Sequence, residues 1–138
     1  MKTTNMLPVS SEKKLLQVVI AIACFVPLSA GLCGIIRGSG WLSAGTVNLD
    51  SHFRYLSGLL LGIGVGFISI IPRIERHTER IRLLTMIVVI GGSGRLLGLF
   101  LTGVPNITML AALGMELVVT PLLCLWQHRL ARRFNSSC

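Results

Sequence analysis

The sequence predicts an all-α membrane protein: four transmembrane helices in an antiparallel bundle, with both termini in the cytoplasm. Three observations carry this. Four apolar stretches, at about 15–36, 52–72, 83–103 and 109–127, each approach the roughly 20 residues that an α-helix needs to cross a hydrocarbon core. The composition suits lipid, 52% hydrophobic and only 13% charged, with a mean hydropathy of +0.77. The basic residues alternate from one end of the spans to the other, which is the positive-inside pattern. In lipid the backbone must satisfy its own hydrogen bonds, so runs of this length are helices. The 138 residues are read as a single integral membrane domain, 1–138, ending in a basic tail at 128–138.

The first span follows Lys2, Lys13 and Lys14. Lys13 and Lys14 have the character of a signal-peptide n-region, and Ser29-Ala30-Gly31 that of a small-residue cleavage site. The apolar run nevertheless continues through Leu32-Cys33-Gly34-Ile35-Ile36 to spanning length, so the segment is expected to remain as a helix. Ala30, Gly31 and Leu32 before Cys33 do not suit a lipoprotein site. The connection 37–51, RGSGWLSAGTVNLDS, is rich in Gly and Ser and places Trp41 as an interfacial anchor. It carries Arg37 alone among basic residues, whereas Arg73, Arg76, Arg80 and Arg82 crowd the connection after the second span. The turn GVPN, 103–106, has no charge and is short, so the third and fourth helices are adjacent and antiparallel. Arg129, Arg132 and Arg133 follow the fourth span. Pro27 and Pro121 fall inside spans and are expected to kink them.

A net charge of +8 invites a nucleic-acid reading, but the charges form no single patch and no folded basic domain remains outside the spans. Nucleic acid is therefore not an expected partner. The basic residues fix orientation and lie at the level of anionic lipid headgroups. Cys24, Cys33, Cys124 and Cys138 show no C-x-x-C and no Cys/His spacing suited to zinc. They read as small apolar packing groups, and neither a metal nor a cofactor is expected. There is no HExxH, GxSxG, Walker or GxGxxG element in a helical setting, so catalysis has no motif to rest on.

Glycines mark the expected helix contacts. Gly58, Gly62 and Gly66 recur every four residues on the second helix with Arg54 one turn above them, and Gly91, Arg95 and Gly98 share a face of the third. Such small-residue faces allow close approach in lipid, and they could equally leave room beside the arginines for a ligand.

Charges inside spans are the most informative residues, because they are costly there and default to functional candidates. They are Arg54, Arg95 and Glu116, with Asp50 and His52 at the mouth. Arg95 lies eight positions before Gly103 and Glu116 eight after Thr108, so each sits about 12 Å below the turn. Side chains lean toward their own helix N-terminus. Arg54 can therefore reach the outer surface, while Arg95, on an outward-running helix, leans inward and needs an internal partner. Glu116 is the one acid available to it. The pair can be a structural clamp or part of a site. His52 beside Asp50 has the chemistry of a proton shuttle, and the position also suits a helix cap.

At these residues the chain resembles a known family. HFRYLSGLLLG (52–62), GRLLGLFLTGVP (94–105) and MELVVTPLL (115–123) are similar to the family called domain of unknown function 4345. Its pattern is present as Arg54 with Gly58, Gly94-Arg95, Gly103 with Pro105, and Glu116, and the resemblance spans about residues 15–127. It implies a small integral protein of a bacterial inner membrane and brings no activity with it.

Three classes of function stay open. The first is a binding protein or accessory subunit holding a lipid-like or small anionic ligand in the outer half of the bundle, with Arg54 and Arg95 as positive poles. The second is a structural membrane partner or small homo-oligomer, in which the Arg–Glu pair is only a clamp. The third is a membrane enzyme or proton-coupled transporter using His52 and Glu116. Expected partners are membrane lipids and a second copy or another membrane protein. The four-helix small multidrug transporters place their essential acid in the first span, which here carries no charge.

Overall fold

Helices that are apolar on every side leave lipid, rather than a protein core, as the partner of most of their surface. In the computed structural model, which describes residues 8–40 and 46–136, the chain forms α1 (Val9–Arg37), α2 (Val47–Ile70), a 3₁₀ segment (Ile71–Arg76), α3 (Thr78–Thr102), α4 (Ile107–Gly114), a π-helical turn (Met115–Val119) and α5 (Thr120–Ser136). Four helical stretches are long and apolar enough to cross a membrane: Val9–Arg37, Val47–Arg76, Thr78–Thr102 and Ile107–Ser136. The four expected spans fall inside them, apart from Gly103, which closes α3. Phe25, Ile22, Ile90, Phe100 and Leu101 all point outward, as a lipid-facing surface requires. Trp41 lies outside the described residues, as do residue 43 and Cys138.

The differences from the sequence expectation have local causes. The helices are longer than their apolar cores. α1 already starts at Val9, where the Pro8 carbonyl accepts from the Ser11 and Glu12 amides. The basic connection at 73–82 is mostly helical. It breaks at Arg73, at φ −125 and ψ 46, and again at His77, at φ −107 and ψ 37, and Arg80 and Arg82 are already on α3. The tail at 128–138 is helical through Ser136, held by the buried Leu130 and Ala131. Pro27 sits within an unbroken α1. Pro121 has the larger effect: it has no N–H to give to a carbonyl one turn back, and the helix widens into the π turn just before it. There the Thr120 amide and hydroxyl both donate to Met115 O, the hydroxyl at 2.8 Å.

The chain divides into two compact units, Gln17–Pro72 and Met1–Leu16 together with Arg73–Cys138. In the first, α1 and α2 run antiparallel and touch through glycines. A Cβ on Gly31 would lie 2.8 Å from Leu61 N and 2.9 Å from Ser57 O, and one on Gly64 would lie 3.0 Å from Leu28 Cδ2. Gly34 faces the Ser57 side chain just as closely. Gln17 Nε2 donates to Ile71 O at 2.7 Å at the other end of the hairpin.

In the second unit α3 packs against the π turn and α5. Leu16, Ile74, Ile81, Leu130 and Gln127 are fully buried there. Gln127 Nε2 donates to Ile74 O at 2.7 Å and to Thr78 Oγ1 at 3.0 Å, fastening α5 to the start of α3. Gln127→Leu keeps the volume but withdraws the donor from the buried Ile74 carbonyl. The expected loss is about 1–3 kcal/mol, read as a lower Tm in detergent.

The expected glycine faces are not the contact faces inside either unit. A Cβ at Gly58, Gly62, Gly91 or Gly98 would meet nothing within 4 Å, and Gly66 is half-buried on the same helix. Close approach falls instead on Gly31, Gly34 and Gly64 in one unit and on Gly92 in the other. Gly103 is needed for its backbone, with φ 105 and ψ −179, a conformation open to glycine almost alone. After it, Asn106 Oδ1 caps α4 by accepting from Met109 N at 3.0 Å.

Candidate functional site

Asp50 and Arg54 stand one turn apart on the first turns of α2, and their side chains meet with Nε 2.7 Å from Oδ2. Asp50 Oδ1 accepts from the Ser39 amide at 2.6 Å and from its hydroxyl at 3.1 Å. Arg54 Nη1 donates to Ile35 O and, at 3.4 Å, to Ile36 O. These are among the last carbonyls of α1, which lack partners within their own helix. Gly38 takes a positive φ of 62, and a Cβ there would collide with both Asp50 and Arg54. The cluster is a C-terminal cap: a cation on the negative end of a helix, oriented by a carboxylate that also holds the turn. Arg54 thus has a full structural task in its own unit. His52 is exposed and makes no hydrogen bond or ion pair among the described residues, since Asp50 gives its oxygens to Arg54 and Ser39.

Arg95 and Glu116 belong to the other unit. Arg95 Nε lies 3.3 Å from Glu116 Oε2, the ion pair expected from their shared depth. Two local features bring them together. Gly92, one turn before Arg95, has no side chain, so the π turn comes close: a Cβ at Gly92 would lie 2.9 Å from Leu117 Cδ2 and 3.0 Å from Glu116 Cβ. The π turn itself carries Glu116. Such wide turns reposition side chains and are frequent at functional sites.

The pair is only partly satisfied. Glu116 has a side chain 18% exposed, and its Oε2 is buried without a hydrogen-bond partner. The approach of Nε is therefore close in distance but not aligned as a hydrogen bond. Arg95 is 42% exposed, and the one hydrogen bond found for it among the described residues runs from Nη1 to the Met109 sulfur at 3.1 Å. A thioether is a weak acceptor. The guanidinium has five donors, so most of its capacity is unfilled among the described residues, on a helix long and apolar enough to cross a membrane.

A second polar cluster was not visible in the sequence. Glu12 pairs with Arg133 at 2.5 Å and accepts from Trp126 Nε1 at 3.1 Å. Lys13 pairs with Glu75 at 2.9 Å. These contacts sew the first turns of α1 to α5 and to the 3₁₀ segment. Each residue alone reads as a charge at a span end, and the pairing appears only once the fold is known. Among the described residues no group of His, Cys, Asp and Glu is arranged to hold a metal.

The chain belongs to the family described as Domain of unknown function (DUF4345), whose model matches residues 15–127. The matched stretch contains both the Asp50–Arg54 cap and the Arg95–Glu116 pair. No curated protein and no solved structure matches the chain.

Proposed function

We propose that this member of the DUF4345 family is a bacterial inner-membrane protein that binds an amphiphile with an oxyanion headgroup at Arg95. One observation carries the reading: a guanidinium at membrane depth whose partners are an unaligned carboxylate and a thioether. A purely structural clamp is expected to be closed, because a half-satisfied polar pair in low dielectric is worse than an apolar contact. The planar fork of arginine matches phosphate or carboxylate oxygens two at a time. Lipid chains fit the apolar helix surfaces on either side. Arg54 is left out of this site because the helix cap occupies it, and His52 is left out because no described residue engages it. The chemistry required is an oxyanion, carried by a membrane lipid or by a free phosphate.

Native mass spectrometry from mild detergent separates these sources. A retained anionic phospholipid supports the lipid form, phosphate-sized adducts support the free anion, and bare protein that ignores both argues for a structural subunit.

We further propose that the four spans form an antiparallel bundle with both termini in the cytoplasm. The support is the charge alternation: Lys13, Lys14, Arg73, Arg76, Arg80, Arg82, Arg129, Arg132 and Arg133 gather at one set of ends, while the connections 37–51 and 103–108 at the other carry Arg37 alone among arginines and lysines. Reporter tags on residues 1 and 138 are expected to read cytoplasm. In a background without other cysteines, Ser43→Cys is expected to react with an impermeant thiol reagent from outside. Labelling only after the inner membrane is opened would reverse the orientation.

A further inference from the structure

Residues 83–127 carry two charged side chains, Arg95 and Glu116, and the structure pairs them at 3.3 Å. With the cation and the carboxylate both charged, the empty site is electrically neutral. An anionic headgroup on Arg95 would leave that stretch with one net negative charge, and isolated charge at membrane depth is expensive. Neutrality returns if the carboxylate takes a proton. We infer that Glu116 is the proton acceptor of the Arg95 site, taking up one proton for each anionic headgroup bound. The inference rests on the anion-site reading above and adds its regulation.

Geometry supports it. Nε holds Glu116 without hydrogen-bond alignment and Oε2 has no other partner, so the carboxylate is not locked into its charged form by donors. Replacing it as the counter-ion breaks a single contact. The surroundings offer no rival. From α3 the one charged group facing Glu116 is Arg95. α4 has no titratable side chain. The first titratable group on α5 is Cys124, roughly 12 Å further along the helix axis. The step is one proton transfer: the acid form of the buffer loses its bond to hydrogen, a carboxylate oxygen of Glu116 gains one, and the headgroup oxygens replace that carboxylate on the guanidinium.

Isothermal titration of the full-length protein in non-ionic detergent with dioctanoyl phosphatidylglycerol tests this. Its phosphodiester keeps its charge throughout the range used, so any proton taken up comes to the protein. Wild type is expected to bind up to tenfold more weakly for each pH unit between about pH 5 and about pH 8, since one proton is linked to one ligand. Titrations in two buffers of different ionisation enthalpy are expected to count up to one proton taken up per lipid, approaching one where Glu116 starts charged. Glu116→Gln imitates the protonated acid, and is expected to bind with a flat pH profile and no proton uptake. Wild-type binding that is flat in pH with no proton counted overturns the coupling and leaves the anion site standing. Absence of binding at every pH overturns both. The buffer comparison needs no variant, so a poorly folded Glu116→Gln does not protect the proposal.

Discussion

Arg95→Ala and Glu116→Ala are each expected to lower thermal stability in detergent, and the double variant to recover much of the loss. Removing one member of a buried ion pair strands the other, at a cost of roughly 3–5 kcal/mol, while deleting both can be nearly neutral. The two single losses are not expected to be equal. Arg95→Ala strands Glu116, whose side chain is only 18% exposed and whose Oε2 has no hydrogen bond. Glu116→Ala strands a guanidinium that is 42% exposed, so its cost is expected below the lower end of that range because water or headgroups can reach it. Tm values of the four proteins form the cycle. A double variant as damaged as the sum of the singles would show that the two residues do not support each other.

Gly31→Leu is expected to open the α1–α2 hairpin. Already a Cβ at this position would lie 2.8 Å from Leu61 N and 2.9 Å from Ser57 O. Both are backbone atoms in the middle of a helix, so neither can rotate away, and the helices must separate. Overpacking of this kind costs roughly 1–3 kcal/mol, and a longer side chain adds to it. The separation also stretches the nearby contact of Gly34 with Ser57 and loosens the Arg54 cap on Ile35. Gly62→Ala is the comparison: nothing lies within 4 Å of its Cβ position, and alanine is the better helix former by about 1 kcal/mol. Its Tm is expected to hold or rise. Equal destabilisation by the two substitutions would mean that the glycine face at 58 and 62 is packed after all.

The same two examples show what a sequence of this kind reveals. The Arg95–Glu116 pair was legible because the GVPN turn is short: counting residues on either side of it fixes depth. Helix rotation was harder to read. Past Arg54, α2 carries no charged side chain, so its period-four glycines could not say which face meets α1. The contact went to Gly64, where Leu28 presses in, and not to the Gly58–Gly62 row. Arg54 looked like a free pole although Asp50 stands four residues before it and pairs with it; its other partners are carbonyls of α1, and backbone acceptors leave no trace in residue type. Glu12 and Arg133 are 121 positions apart, beyond the reach of any local pattern. The π turn was foreshadowed only by Pro121, whose effect is written into the spans as a possible kink without its form.

Native mass spectrometry of wild type and Arg95→Lys, each incubated with equal phosphatidylglycerol and phosphatidylcholine in mild detergent, bears most directly on the Arg95 site. Lysine keeps the positive charge and the ion pair but loses the two-pronged fork. Wild type is expected to retain phosphatidylglycerol over phosphatidylcholine, and Arg95→Lys to lose most of that preference while staying folded. Equal retention of both lipids by wild type, or an unchanged preference in Arg95→Lys, would show that Arg95 holds no anionic headgroup.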